Sequence, residues 1–213
     1  MEINAKLGIK IEEELADSTL FKQVVGSLRY LCNTRPDICY SLGVIRRFME
    51  RPKLSHWLAV KRIMRYIQGT IGHGIMFATY LKHENEDLGG YSNSEWCGDK
   101  NDRTSGYVFK FMKSPITWSS KKQLVITLSS CEAEYIDVRY EACQALWLES
   151  LTTELKIETY RPIPLLIDNI SVINLAKNPV SHERNKYIET KFHFLRDQVG
   201  RSKLKLIYCQ IEV

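Results

Sequence analysis

The sequence predicts an α/β fold: a mixed five-stranded sheet flanked by helices, preceded by a small helical segment. Three observations predict it. Up to about residue 74 the chain reads as helical, clearest at Trp57, Val60, Met64 and Ile67 with their intervals of three and four, and from residue 75 the period changes to that of strands. Pro164-Leu-Leu-Ile-Asp168 is a short apolar run ending in a carboxylate, the pattern of a buried parallel strand. Between a meander of strands and that run stands one long helical pattern, and further helices and a last strand follow; this order builds a mixed sheet with helices against it.

The elements follow in turn. A helix from Leu20 to Cys32 ends at Asn33-Thr-Arg-Pro36, where proline forces a restart. Asp37 to Met49 is a second helix, stopped by Arg51-Pro52. A third runs from about Ser55 to Gln68, with Trp57, Val60, Met64 and Ile67 as its apolar stripe. Gly69, Gly72 and Gly74 break the pattern, and Gly72-His-Gly74 lacks the third glycine and the following helix of a dinucleotide loop. Two segments are therefore expected, 1–74 and 75–213. Ile75-Met-Phe-Ala and Leu88 to Tyr91 read as strands, and Gly106–Phe111 and Ile116-Thr-Trp-Ser continue the meander. The long helix covers about 132–155, with Ile136, Tyr140, Cys143, Trp147 and Leu151 at helical spacing. After the Pro164–Asp168 strand come helices at Ser171–Ala176 and Tyr187–Val199, then a strand at Leu204–Cys209.

Composition sets the class. Hydrophobic content of 44% in 213 residues is enough for a packed core. The six cysteines form no CxxC pair and read as reduced thiols buried as small core residues, and no ligand-spaced Cys/His pairs suggest zinc. No apolar run approaches the ~20 residues of a membrane span, and Met1-Glu-Ile-Asn-Ala-Lys has no signal-peptide core. The expectation is a soluble intracellular protein, cytoplasmic or nuclear, with no membrane partner and no small-molecule substrate. The net charge of +5 is concentrated: Val44–Thr70 holds seven Lys/Arg against Glu50 alone, seven minus one being +6. Positive charge gathered on helices fits a polyphosphate partner, and Arg46, Arg47, Lys61, Arg62 and Arg65 are the candidate nucleic-acid contacts; a solvated helix face is the alternative.

Three polar positions converge on one edge of the expected sheet. They are Asn93 at the end of the first strand, Glu134 in the first turns of the long helix, and Asp168 at the end of the fourth strand. Clustered carboxylates repel unless a cation neutralises them, and Mg²⁺ is the natural cation for oxygen ligands and phosphate substrates. Ser129 and Glu132 read as a capping box, so Glu132 folds back on the helix start. Glu134 lies about 200° around the helix from it and takes the functional role. Tyr135-Ile-Asp-Val138 lacks the second aspartate of a polymerase Y-x-D-D and reads as helix.

Val25-Gly-Ser-Leu-Arg-Tyr-Leu-Cys-Asn-Thr-Arg-Pro-Asp-Ile38, His56-Trp through Arg65-Tyr-Ile-Gln-Gly-Thr70, Tyr91-Ser-Asn-Ser-Glu-Trp96, Thr104-Ser-Gly-Tyr-Val-Phe109, Ser119-Ser-Lys-Lys-Gln123, Leu128-Ser-Ser-Cys-Glu-Ala-Glu-Tyr135, Ala145-Leu-Trp-Leu148 and Ile167-Asp-Asn169 together resemble the copia-type retrotransposon Pol polyprotein. The resemblance covers residues 20 to 213, at the end of the reverse transcriptase and the RNase H domain behind it. It implies that 1–74 is a helical remnant of the reverse transcriptase C-terminal or connection region, and that 75–213 is an RNase H-like domain truncated at its C-terminus. It implies an ancestral Mg²⁺-dependent endonuclease on the RNA strand of RNA–DNA hybrids, with Asn93, Glu134 and Asp168 at three carboxylate positions and Glu134 and Asp168 as metal ligands. The family has Tyr-Ser-Asp where this chain has Asn93, and a small residue where it has Asp137. It commonly has Lys-His-Ile-Asp where this chain has Tyr187 and Glu189, and its fourth carboxylate lies in an Ala-Asp-x-x-Thr-Lys segment beyond Val213. The expected state is a catalytic site that has lost a charge. The alternative is a non-catalytic remnant that binds nucleic acid.

Overall fold

The computed structural model describes residues 13–77, 88–95, 104–123, 130–177 and 186–210, and within these not the side chains of 93–95, 130 and 186–192. The chain divides into two compact units, Met1–Ile75 and Met76–Val213.

The first unit is helical. Helix α1 (Ser18–Leu31) starts where Asp17 accepts hydrogen bonds from the backbone N–H of Thr19 at 2.8 Å and Leu20 at 3.1 Å. After it, Arg35 is buried and its guanidinium donates to the Asp37 carboxylate at 2.7 Å, to the Thr70 carbonyl at 3.1 Å and to the Thr70 hydroxyl at 2.8 Å. Asn33-Thr-Arg-Pro-Asp37 is thus a clamp: it fastens the turn behind α1 to the end of α3 (Leu54–Gly69). Between them lies α2 (Cys39–Ile45), with single 3₁₀ turns at Pro36–Ile38 and Arg46–Phe48 where one continuous helix was expected.

Helix α3 opens on a reciprocal cap. The backbone N–H of Lys53 donates to His56 Nδ1 at 3.0 Å, and the ring of His56 stacks on Phe48 at 3.8 Å. That draws His56 inside and rotates the buried stripe to His56, Ala59, Val60 and Ile63. Met64, expected in the stripe, is 44% exposed. These residues close a core with Phe21, Val25, Leu28, Ile38, Leu42 and Ile45.

The second unit is a five-stranded sheet in the order β3-β2-β1-β4-β5. Strands β1 (Leu88–Glu95), β2 (Thr104–Phe111) and β3 (Ser114–Lys122) pair antiparallel, while β4 (Ile163–Ile167) runs parallel to β1 and β5 (Leu204–Tyr208) parallel to β4. This is the mixed five-stranded sheet that the sequence implies. The strand expected at Ile75–Ala78 does not form: residues 75–77 are irregular, and Ala78 lies outside the described residues. The hairpin from β2 to β3 turns through Met112 and Lys113, both at positive φ, 48° and 71°.

Helices α4 (Ser130–Glu154), α5 (Ile170–Lys177) and α6 (Lys186–Gly200) complete the unit. Alternate residues of β4 are buried, and Ile163, Leu165 and Ile167 join Phe109, Tyr135, Val138, Leu148, Val172, Leu195 and Leu206 in one core. A fully buried Phe or Leu contributes about 1.5–3 kcal/mol by burial. Gly90 is where β1 needs no side chain: a Cβ there would stand 2.7 Å from Leu165 Cδ2 and 2.7 Å from Phe109 Cε1.

Helix α4 faces the core differently from the expected stripe. Tyr140 and Trp147 are each 56% exposed and Cys143 is exposed too. The buried side carries Ala133, Ala142 and Ala145, whose small size lets the helix approach the sheet, together with Asp137, Glu141 and Glu149.

Candidate active site

The parallel pairing of β1 with β4 sets the stage. Gly90 pairs with Leu165 and Tyr91 with Leu166, so the carboxyl ends of the two strands leave the sheet side by side. Asn93 and Asp168 each lie two residues beyond the Tyr91–Leu166 pair, and Asn93 is also paired with Gly106 of β2. The side chain of Asn93 lies outside the described residues.

Glu134 comes from the first turns of α4 and is half-buried. Its carboxylate accepts a hydrogen bond from Asn169 Nδ2. The other end of that amide caps α5: Asn169 Oδ1 accepts from the N–H of Ser171 at 2.7 Å and of Val172 at 3.3 Å. The two tasks fix which way the amide points, so a helix cap doubles as the support of an acidic side chain. Burial pushes the Glu134 carboxyl above its ordinary value, the Asn169 bond opposes that shift, and Asp168 adds to it by repulsion. The structure therefore brings Glu134 and Asp168 into electrostatic contact. Asn169 was given no role from sequence, although an Asn between a strand and a helix carries the signature of an N-cap.

Two more carboxyl groups follow Glu134 on the buried side of α4, three and seven residues on, within about 60° of it around the helix. Asp137 and Glu141 are each 3% exposed. Asp137 accepts from Gln123 Nε2, and burial pushes its carboxyl up to about 6 against the help of Gln123 and Ser105. Burial raises Glu141 well above its usual range, against a bond from Ser92, and the charges of Asp137 and Asp168 raise it further. Among the described residues no three His, Cys, Asp or Glu side chains are grouped so as to hold a metal ion. The row on α4 is a chain of mutually repelling acids reaching inward from Glu134.

Glu132 is half-buried near the start of α4, and Ser129, its expected capping-box partner, lies outside the described residues. So do the side chains of Tyr187 and Glu189. In the helical unit Arg46, Lys61, Arg62 and Arg65 are exposed and Arg47 is half-buried. The Lys61 ammonium sits 5.7 Å from the centre of the Trp57 ring.

No protein-family model matches the chain. Over 211 residues it is 41% identical to the retrovirus-related Pol polyprotein from transposon RE1 of Arabidopsis thaliana and 39% identical to that from transposon RE2 of the same species. Its homologues at this level of identity, over nearly the whole chain, are retrovirus-related Pol polyproteins of copia-type transposons. Each match takes in 98% of this chain and 14% of the Pol polyprotein, so the chain spans about one seventh of the length of these relatives. Among solved structures, LC11-RNase H1 in complex with RNA/DNA hybrid is similar over 59% of this chain and 85% of its own, at 13% identity and a TM-score of 0.40. Among the described residues no helix is long and apolar enough to cross a membrane.

Proposed function

We propose that the RNase H-like domain is a degenerate nuclease that engages RNA–DNA hybrid, or another nucleic acid, without efficient cleavage. The observation that carries this reading is Asn93 on β1, two residues beyond the Tyr91–Leu166 pair, as Asp168 is on the other chain segment, where the family has a carboxylate. A nuclease of this type works inside the cell, in the cytoplasm or nucleus, on its element's own nucleic acid.

The donor set fits a Mg²⁺ ion in chemistry. Glu134 and Asp168 are hard oxygen ligands; burial raises the Glu134 carboxyl and the Asp168 charge adds to it, and a cation would relieve that repulsion. They would hold the ion, which when bound supplies Lewis-acid stabilisation of phosphodiester oxygens. Asn93 offers a neutral amide oxygen in place of a third negative charge, and Asn169 keeps Glu134 oriented from behind. Both remaining acids are thus positioned, but their summed charge is too small to neutralise a pair of divalent ions. The exposed cations Arg46, Lys61, Arg62 and Arg65, with Arg47 beside them, supply the phosphate-facing charge.

The test is cleavage of a labelled RNA–DNA hybrid in Mg²⁺ against EDTA, with Asp168→Asn as the blank. The expected result is no Mg²⁺-dependent product from the wild-type chain and detectable product from Asn93→Asp. Robust wild-type cleavage that vanishes in Asp168→Asn overturns the degenerate reading.

A further inference from the structure

A cavity of about 470 Å³ lies between α4 and the β2–β3 edge of the sheet. Its size is that of a small-ligand site. Ser119, Lys121, Lys122 and Gln123, from a block at the end of β3 that the catalytic reading leaves without a task, form one wall. The facing wall is the side of α4 that carries Ile136, Asp137 and Tyr140. Cross-strand pairing puts Ser119 beside Tyr107 and Lys121 beside Ser105, so hydroxyl groups line the floor.

The polar groups divide by depth. Inside are acceptors: the Asp137 carboxylate, and Gln123 Oε1, which is buried with no hydrogen-bond partner among the described residues. Gln123 Nε2 is committed to Asp137 and, at 3.5 Å, to the Ala133 carbonyl, so the amide keeps its oxygen for another donor. At the rim are the exposed cations Lys121 and Lys122. A simple anion is repelled by Asp137, and a simple cation by the two lysines. The ligand that suits both ends has N–H donors on a flat apolar body and a negative group at its far end.

We propose that this cavity is a nucleotide site that takes an unpaired guanine, with the base edge on Asp137 and the phosphate at Lys121 and Lys122. Guanine presents two adjacent donors, N1–H and the 2-amino group, to one carboxylate, as a bidentate pair. Adenine and cytosine place a ring acceptor beside their amino group, and uracil flanks its single N–H with two carbonyl oxygens; each sets an acceptor against an acceptor. The nucleotide is either free or an unpaired residue of a nucleic-acid strand, and neither Glu134 nor Asp168 lines the cavity.

The experiment is calorimetric titration of the full chain at pH 7.5 with guanosine 5′-monophosphate, inosine 5′-monophosphate, uridine 5′-monophosphate and guanosine. Guanosine monophosphate is expected to bind about tenfold or more tightly than the inosine compound, which lacks the 2-amino group, and than the uridine compound. Guanosine is expected to bind more weakly for want of phosphate. Asp137→Asn should abolish the guanine preference while a thermal melt shows the fold intact. Lys121→Ala with Lys122→Ala should remove the advantage of the phosphate and leave guanosine binding unchanged. Competition by a duplex with one unpaired 3′ guanine assigns the ligand to nucleic acid, and binding of the mononucleotide without such competition assigns it to the free nucleotide; both uphold the site. No binding of guanosine monophosphate at millimolar concentration, or binding that Asp137→Asn leaves intact, overturns it without touching the hybrid-binding reading.

Discussion

Replacing Asp137 by Asn should stabilise the second unit above pH 6 and leave it unchanged near pH 4. Asp137 is 3% exposed, and burial raises its carboxyl from 3.8 to about 6. A folded-state value above the unfolded one means that the native state binds the proton more tightly. Stability is therefore full below about pH 4, falls as pH rises through 6, and is flat beyond it. The shift of about two units corresponds to roughly 3 kcal/mol at pH 8, at about 1.4 kcal/mol per unit. Asparagine keeps the shape, carries no charge at any pH and turns an N–H₂ toward the unpartnered Gln123 Oε1. It also removes one of the charges that raise Glu141. Urea unfolding at pH 4, 6 and 8, followed by circular dichroism, reads the effect; the transition of the second unit is identified by its response to Phe109→Ala. The melting temperature should rise by roughly 10 °C at pH 8. An equal gain at pH 4 and pH 8, or a loss at pH 8, refutes the account of Asp137 as a buried, destabilising charge.

Three other substitutions probe separate features. Gly90→Ala puts a methyl group within 2.7 Å of Leu165 and Phe109 and should cost about 1–3 kcal/mol by chemical denaturation; a neutral effect would mean that β1 shifts freely. Asn-Gly in place of Met112-Lys113 should stabilise the hairpin by about 1–2 kcal/mol, because both positions are left-handed; no gain in melting temperature counts against strain there. Arg62→Ala with Arg65→Ala should lower the slope of log affinity against log salt for duplex binding by about two, one for each lost phosphate contact; an unchanged slope returns these arginines to an ordinary solvated face.

Much of this architecture was legible because local rules and packing agree. The apolar run at 164–168 appears as β4 at Ile163–Ile167, and α3 extends one residue beyond its expected range at each end. The faces of the helices were harder. Helix α4 buries alanines and acids among Tyr135, Ile136, Val138 and Leu148, while Tyr140 and Trp147 are exposed, so apolar spacing alone misplaces its buried side. In α3 a histidine drawn in by its own cap displaced Met64. At the site, the acids Glu134 and Asp168 were visible as strand-end and helix-start residues. Asn169 was not, because its second role depends on a contact across 35 positions of sequence. The burial of Asp137 and Glu141 was equally hidden, since nothing in their neighbours distinguishes a buried acid from a solvated one.

The change of strand direction at β1 sets the order in which the sheet can be built. On one side its partner β2 begins nine residues after β1 ends, Thr104 after Glu95, and loops of that size close in well under a microsecond. On the other side Gly90 must find Leu165, 75 positions away, with all of α4 between them. Closure entropy grows with the length of that excursion, so the parallel half is the slow step of assembly. Pulse-labelled amides of β2 and β3 should gain protection before those of β4 and β5. A chain emerging from the ribosome then holds a finished antiparallel edge before β4 and β5 arrive to extend the sheet on its other side.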